Sequence, residues 1–196
     1  DSAMRAGAPP DMYSAHGQMW GFPVYDWRAM ADDGYGWWKG RLAQAARFFH
    51  AFRIDHVLGF FRIWQVPATE ANGLLGWFDP AEACTRADLA EAGFDDAAVP
   101  WLSVPHVRGD DLRVALGADA DRVAGRYLLR IGGEDLYNLR PELDREDTIR
   151  SLDEPDGVRE ALYRWHADRA LLAAGPDRFF PSWHHERSQA FLGLDD

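Results

Sequence analysis

The chain has 196 residues, 47% of them hydrophobic, and a formal net charge of −11. That length suits one ordinary domain or a domain with an insertion, and the acidic balance argues against nucleic acid or an anionic membrane surface as partner. No apolar run approaches the roughly 20 residues that span a bilayer, and the single cysteine, Cys84, excludes an internal disulfide and fits a reducing cytoplasm.

The first residue is Asp1 and no secretory signal follows, so processing or truncation is expected to have removed the start. Residues 1–27 read as an extended loop. Pro9 and Pro10 lack backbone donors and restrict the residues before them. Gly17-Gln18-Met19-Trp20-Gly21-Phe22-Pro23-Val24-Tyr25-Asp26-Trp27 is rigid and aromatic, suited to presenting rings to a ligand or to packing as a lid. The chain has nine tryptophans. They serve either as large core side chains or as flat platforms for a ligand with apolar faces and polar edges, such as a sugar.

Asp26 is placed to cap a short helix over 27–32, which Asp32-Asp33-Gly34 ends. The spacing of Tyr35, Trp38, Leu42, Ala45/Ala46 and Phe49 predicts a helix from Tyr35 to Phe49 with one apolar stripe. It leads into Phe52-Arg53-Ile54-Asp55-His56. On a strand, Phe52 and Ile54 would face outward against helices, while Arg53 and Asp55 would face inward. That pattern suits a parallel strand of a (β/α)8 barrel, with Asp55 at the C-terminal end, where such barrels keep their chemistry. A lone Arg-x-Asp pair on a strand is, however, usually a structural salt bridge.

Residues 61–67 form a short aromatic segment stopped by Pro67, and 68–84 read as loop. Thr85 caps a short helix. Helices are predicted over 110–116, 119–125, 144–152 and 154–168, the last with Pro155 in its first turn. Strands are predicted over 126–131 and, after the Gly132-Gly133 turn, 136–139. Residues 170–174 fit either a buried strand or a helix tail, and 178–185 read as loop. Only one helix-to-strand unit is evident. The fold expected is therefore α/β: residues 1–67 as part of a catalytic TIM (β/α)8 barrel, and 68–196 as an α-rich irregular insertion or subdomain, with the chain truncated at both ends.

Four ordered motifs carry a family resemblance: Gly7-Ala8-Pro9-Pro10-Asp11, the aromatic stretch from Gly17 to Trp27, Trp37-Trp38, and Arg53-Ile54-Asp55-His56. Together they resemble the 4-alpha-glucanotransferases of glycoside hydrolase family 77, the amylomaltases and plant disproportionating enzymes. Residues 7–67 carry this strongly. Residues 68–196 resemble, more weakly, the longer extension of one plant type and its bacterial relatives. Phe22 departs from the family's usual Asn, and Val57-Leu58 from its frequent Phe-Arg.

The resemblance implies that Asp55 is the nucleophile of a retaining transfer between α-1,4-glucans, with maltodextrin as donor and glucose or a glucan as acceptor. Arg53 would favour the charged carboxylate and orient it, and His56 would hydrogen-bond glucose hydroxyls. Trp20, Tyr25, Trp27 and Asp11 are the candidate substrate contacts, although a turn cap is the commoner role for a residue such as Asp11, and Tyr25 and Trp27 could equally pack. No cofactor or metal is implied, and His184-His185-Glu186 reads as a surface loop. A retaining pair needs a second carboxyl group. Glu134-Asp135-Leu136 is similar to the family's acid-bearing segment but continues with Tyr137, so the acid is expected outside these residues. Two alternatives stay open: an α-glucan hydrolase with the same nucleophile, and a non-catalytic glucan-binding fragment.

Overall fold

The structure, a computed structural model, describes residues 3–194. Its N-terminal part is built on strands β1 (Met4–Ala8), β2 (Gln18–Pro23) and β3 (Ile63–Pro67), with β4 (Trp77–Asp79) completing an antiparallel sheet of order β2-β1-β3-β4. Three of these strands, β1, β2 and β4, lie where a loop was expected. Residues 4–8 and 18–23 lack strong strand patterning, and their pairing depends on a strand more than 40 residues away. Gly7 sits opposite Trp64 on one side and Met19 on the other, next to a register shift between Arg5 and Gly7. A Cβ at Gly7 would stand 2.1 Å from the Gln18 carbonyl oxygen. Only glycine lets the two strands close there.

From β2 the chain enters helices α1 (Trp27–Asp32) and α2 (Gly36–Ala46). The Asp26 carboxylate accepts from the Ala29 N–H at 3.0 Å, as its cap position predicts. Residue Tyr35 has φ 60° and begins α2 rather than belonging to it. No residue from 18 to 63 is buried. The apolar stripe of α2 is therefore half-open instead of packed in a core.

The expected strand at Phe52–Asp55 is absent. These residues are irregular, Phe52 and Ile54 are 52% and 47% exposed, and a single 3₁₀ turn follows at Val57–Phe60. A strand needs a neighbour to accept its backbone hydrogen bonds, and none runs beside it among the described residues. Every strand pairing among those residues is antiparallel. The parallel helix-to-strand unit is thus not formed here, although helices and strands alternate along the chain.

Beyond β4 the chain packs well. Thr85 caps α3 (Arg86–Glu91) with a reciprocal bond to Asp88, and α4 (Ala98–Ser103), β5 (His106–Arg108), α5 (Gly109–Leu116) and α6 (Ala120–Tyr127) follow. Strands β6 (Leu128–Ile131) and β7 (Leu136–Leu139) join β5 in a sheet of order β5-β7-β6. Next come α7 (Glu146–Arg150), α8 (Asp156–His166), β8 (Leu171–Ala173), β9 (Phe179–Pro181) and α9 (Gln189–Leu192). The pairing of β8 with β9 settles residues 170–174 as strand and makes part of the predicted terminal loop a strand as well. The main core gathers Val123, Ile149 and Leu162, all fully buried, with Leu75, Tyr127 and Phe180.

A buried polar network ties the 69–73 loop to this core. His166 Nε2 lies 3.2 and 3.3 Å from the two Glu70 oxygens, and the Ala71 N–H donates to Glu146 at 2.7 Å. Arg150 pairs with Glu146, and Asn72 bonds the Tyr163 hydroxyl. Burial pushes the Tyr163 phenol well above its usual range. Buried polar groups that are fully paired fix one arrangement of the chain, so the network holds the loop that leads from β3 to β4.

Candidate active site

The half-open segment encloses a cleft of about 760 Å³. That volume is in the range of small-molecule sites. Its lining is mostly apolar or aromatic, with Arg41, Arg53, Asp55 and His56 as the polar exceptions among side chains that ionise readily. Strand β2 brings Trp20, the link after it Tyr25, and the start of α1 Trp27. Helix α2 brings Trp38 and Leu42, and the irregular stretch brings Arg53, Asp55 and His56.

The aromatic rings hold one another. Tyr25 packs against Trp27, Trp37 and Trp38 with centroids 5.2, 5.7 and 5.6 Å away. Phe60 bridges Trp27 and Trp38 at 5.7 and 5.1 Å. Such pairs add stability beyond area burial and stiffen the wall. The Arg41 guanidinium lies 5.2 Å from the Trp37 ring centroid. The Trp38 indole N–H is buried and has no acceptor among the described residues.

At the polar end, the Trp20 ring meets His56 edge-on, with centroids 5.3 Å apart and an interplanar angle of 89°. Trp20 Nε1 donates to Gln18 Oε1 at 2.9 Å, which fixes the indole. His56 itself adopts φ 49°. A Cβ at Gly59 would stand 2.8 Å from His56 Cδ2, so glycine leaves room for the imidazole. Arg53 reaches Asp55 at 3.4 Å, but the two side chains are 87% and 88% exposed, so water screens the attraction.

Six of the seven residues expected at the site thus share one cleft. Asp11 is not among its lining: its carboxylate accepts from the Tyr13 and Ser14 N–H groups at 2.9 and 2.7 Å and closes a turn. Trp38, Arg41 and Phe60 also line the wall; the sequence pattern placed Trp38 on the apolar stripe of the helix and singled out none of the three as a site residue. The aromatic pair Trp37-Trp38 was the available signal. Asp55 is the one carboxylate lining the cleft among the described residues. Asp135 lies elsewhere, bonded to Arg113 at 2.7 Å and Tyr137 at 3.0 Å, and these bonds hold its carboxyl below the usual range. No cluster of three or more metal-ligating side chains occurs among the described residues, and no helix there is long and apolar enough to cross a membrane.

The sequence profile of glycoside hydrolase family 77, described as 4-alpha-glucanotransferase, matches residues 1–168. The chain belongs to this family. Rice (Oryza sativa subsp. japonica) has a 4-alpha-glucanotransferase, DPE2, that is 34% identical over 203 residues, covering 97% of this chain and 21% of the rice protein. A potato (Solanum tuberosum) chloroplastic/amyloplastic 4-alpha-glucanotransferase is 49% identical over 71 residues, 36% of this chain and 12% of its own length. A solved Streptococcus agalactiae amylomaltase in complex with acarbose is 31% identical over 41% of this chain and 16% of its own, at a TM-score of 0.39. The chain therefore spans about a fifth of the rice family member and less of the others.

Proposed function

We propose that the full-length protein is a 4-alpha-glucanotransferase and that this chain carries its nucleophile, Asp55. One observation supports the reading above the others: in a member of this family, Asp55, Arg53 and His56 meet the aromatic wall of Trp20, Tyr25 and Trp27 on a single cleft. A flat apolar wall beside a small polar cluster matches a glucose ring, whose faces are apolar and whose edges are hydroxylated.

In the proposed reaction an Asp55 carboxylate oxygen attacks the anomeric carbon of an α-1,4-glucan. The glycosidic C–O bond breaks, and the leaving oxygen takes a proton from a second carboxyl group. The resulting glycosyl ester is opened by the 4-hydroxyl of glucose or another glucan. That hydroxyl's proton returns to the second carboxyl group, and Asp55 leaves as carboxylate. Arg53 orients Asp55, and His56 binds hydroxyls of the donor sugar. The aromatic wall excludes water, so that a sugar rather than water resolves the ester. The cleft lacks the second carboxyl group among the described residues, so this chain alone is expected not to turn over.

In the same reading, residues 1–67 belong to a TIM (β/α)8 barrel and 68–196 are an insertion or subdomain. Strand formation at 52–55 then awaits neighbouring strands, and the open faces of α2, Phe52 and Ile54 are covered by them. The protein acts in the cytoplasm. Incubation of the full-length protein with maltotriose tests the reaction. Transfer yields longer and shorter maltodextrins with no net rise in reducing ends. A steady rise in reducing ends identifies a hydrolase and ends the transferase reading.

A further inference from the structure

A second, smaller hollow of about 160 Å³ lies between the end of α8, the turn after β9 and Leu74. It is below the roughly 300 Å³ at which small-molecule pockets begin, so it suits one compact group. Arg164, Arg169 and Arg187 line it with Ser182 and His184. The chain carries 32 acidic residues against 21 Lys and Arg, so an arginine here has carboxylates in excess to choose from. Yet none of these three arginines makes an ion pair among the described residues.

One carboxylate, Asp168, lines the hollow beside the three guanidinium groups. Asp168 accepts from the Gln189 N–H at 3.3 Å with each oxygen, and burial with the Asp111 charge works against its ionisation. Arg169 uses part of its guanidinium on the His166 carbonyl at 3.0 Å and His166 Nδ1 at 3.1 Å, which fixes its plane. Glu70 and Asp144 act on it only from beyond ion-pair distance. Burial, with the Arg187 and His16 charges in support, holds the His184 imidazole below its usual range, and three guanidinium groups share the hollow with the single Asp168 carboxylate. Trp183, held edge-on by Trp64 at 5.5 Å, closes one side.

We propose that this hollow binds a tetrahedral oxyanion of the phosphate class, held by the guanidinium groups of Arg164, Arg169 and Arg187 and by the Ser182 hydroxyl. Planar guanidinium forks match phosphate oxygens in pairs. The source is either free inorganic phosphate or a phosphate ester on a sugar. The inference does not rest on the transferase reading, because none of these residues lines the large cleft.

The test is calorimetric titration of the full-length protein with inorganic phosphate, and separately with glucose 6-phosphate, in a low-salt buffer free of other oxyanions. Saturable one-to-one binding is expected, weakened about tenfold or more in the double variant Arg164→Gln/Arg187→Gln, which removes two charge-assisted contacts. Both side chains are exposed, so the variant should melt cooperatively. If it does not, the single variants are judged by the same criterion. Tighter binding of the ester assigns the hollow to a phosphorylated sugar, and equal or weaker binding assigns it to the free anion. Absence of saturable binding by either probe, or wild-type affinity in the folded variants, overturns the proposal. Disproportionation of maltotriose by the same samples reports separately on the transferase reading.

Discussion

Gly73→Ala tests how the N-terminal sheet is locked to the rest of the chain. Gly73 has ordinary backbone angles, so its importance is steric rather than conformational. A Cβ there would stand 2.2 Å from the Ala8 carbonyl oxygen and 2.7 Å from the Gln18 nitrogen. Both are backbone atoms and cannot swing aside. The Ala8–Gln18 pairing of β1 with β2 must therefore open, or the 73 loop must retreat. Retreat would strain the bond from Trp64 Nε1 to the Gly73 carbonyl, which is buried and 2.9 Å long. Overpacking and a weakened buried hydrogen bond together cost about 2–4 kcal/mol. Local opening of the sheet should rise accordingly, by roughly 30- to 700-fold. Hydrogen exchange of the β1 and β2 amides in the full-length protein measures it. Gly40→Ala is the control: nothing lies within 4 Å of a Cβ there, and α2 should gain slightly or stay unchanged. Unchanged exchange at β1 and β2 in Gly73→Ala would refute the steric argument. The same substitution should also lower activity, because β2 carries Trp20.

Three further outcomes follow from individual side chains. Asp55→Asn should abolish transfer while leaving the melt unchanged, because the carboxylate is 88% exposed and supports no packing. Near-normal activity would remove it as nucleophile. Leu162→Ala should cost about 2–5 kcal/mol in chemical denaturation, since Leu162 is completely buried in the main core. Asp168 gives a pH signature. Burial, with the Asp111 charge in support, pushes its carboxyl up to about 6 from 3.8. A raised acid favours folding fully below 3.8 and loses that contribution as pH rises through about 6. Asp168→Asn, which can still accept from Gln189, should therefore be more stable than the parent at pH 7.5, by about 1–2 kcal/mol after solvent screening, and equal to it at pH 3.5. Equal stability at both pH values would count against a buried, raised carboxyl.

The sequence grouped the cleft residues better than it placed the strands. Trp20, Tyr25, Trp27, Arg53, Asp55 and His56 lie within 37 residues of one another, and short-range order is enough to bring them to one cleft. Asp11 was ambiguous because a short acidic side chain after two prolines suits a turn as well as a ligand, and the Tyr13 and Ser14 amides take it. Trp38 and Phe60 were not singled out because an apolar side chain reads the same whether it lines a core or a cleft.

Local chemistry by itself determined the caps at Asp26 and Thr85, the helices α5, α6 and α8 and the turn between β6 and β7, because hydrogen bonds and periodicity within a few residues decide them. Tertiary structure alone decided what depends on distant partners. Residues 4–8 and 18–23 became strands because β3 lies beside β1 and Gly7 and Gly73 let backbones approach. Residues 52–55, with the better strand pattern, stayed irregular because no described backbone runs next to them. A strand is a property of a pair, and side-chain alternation supplies only one of its members.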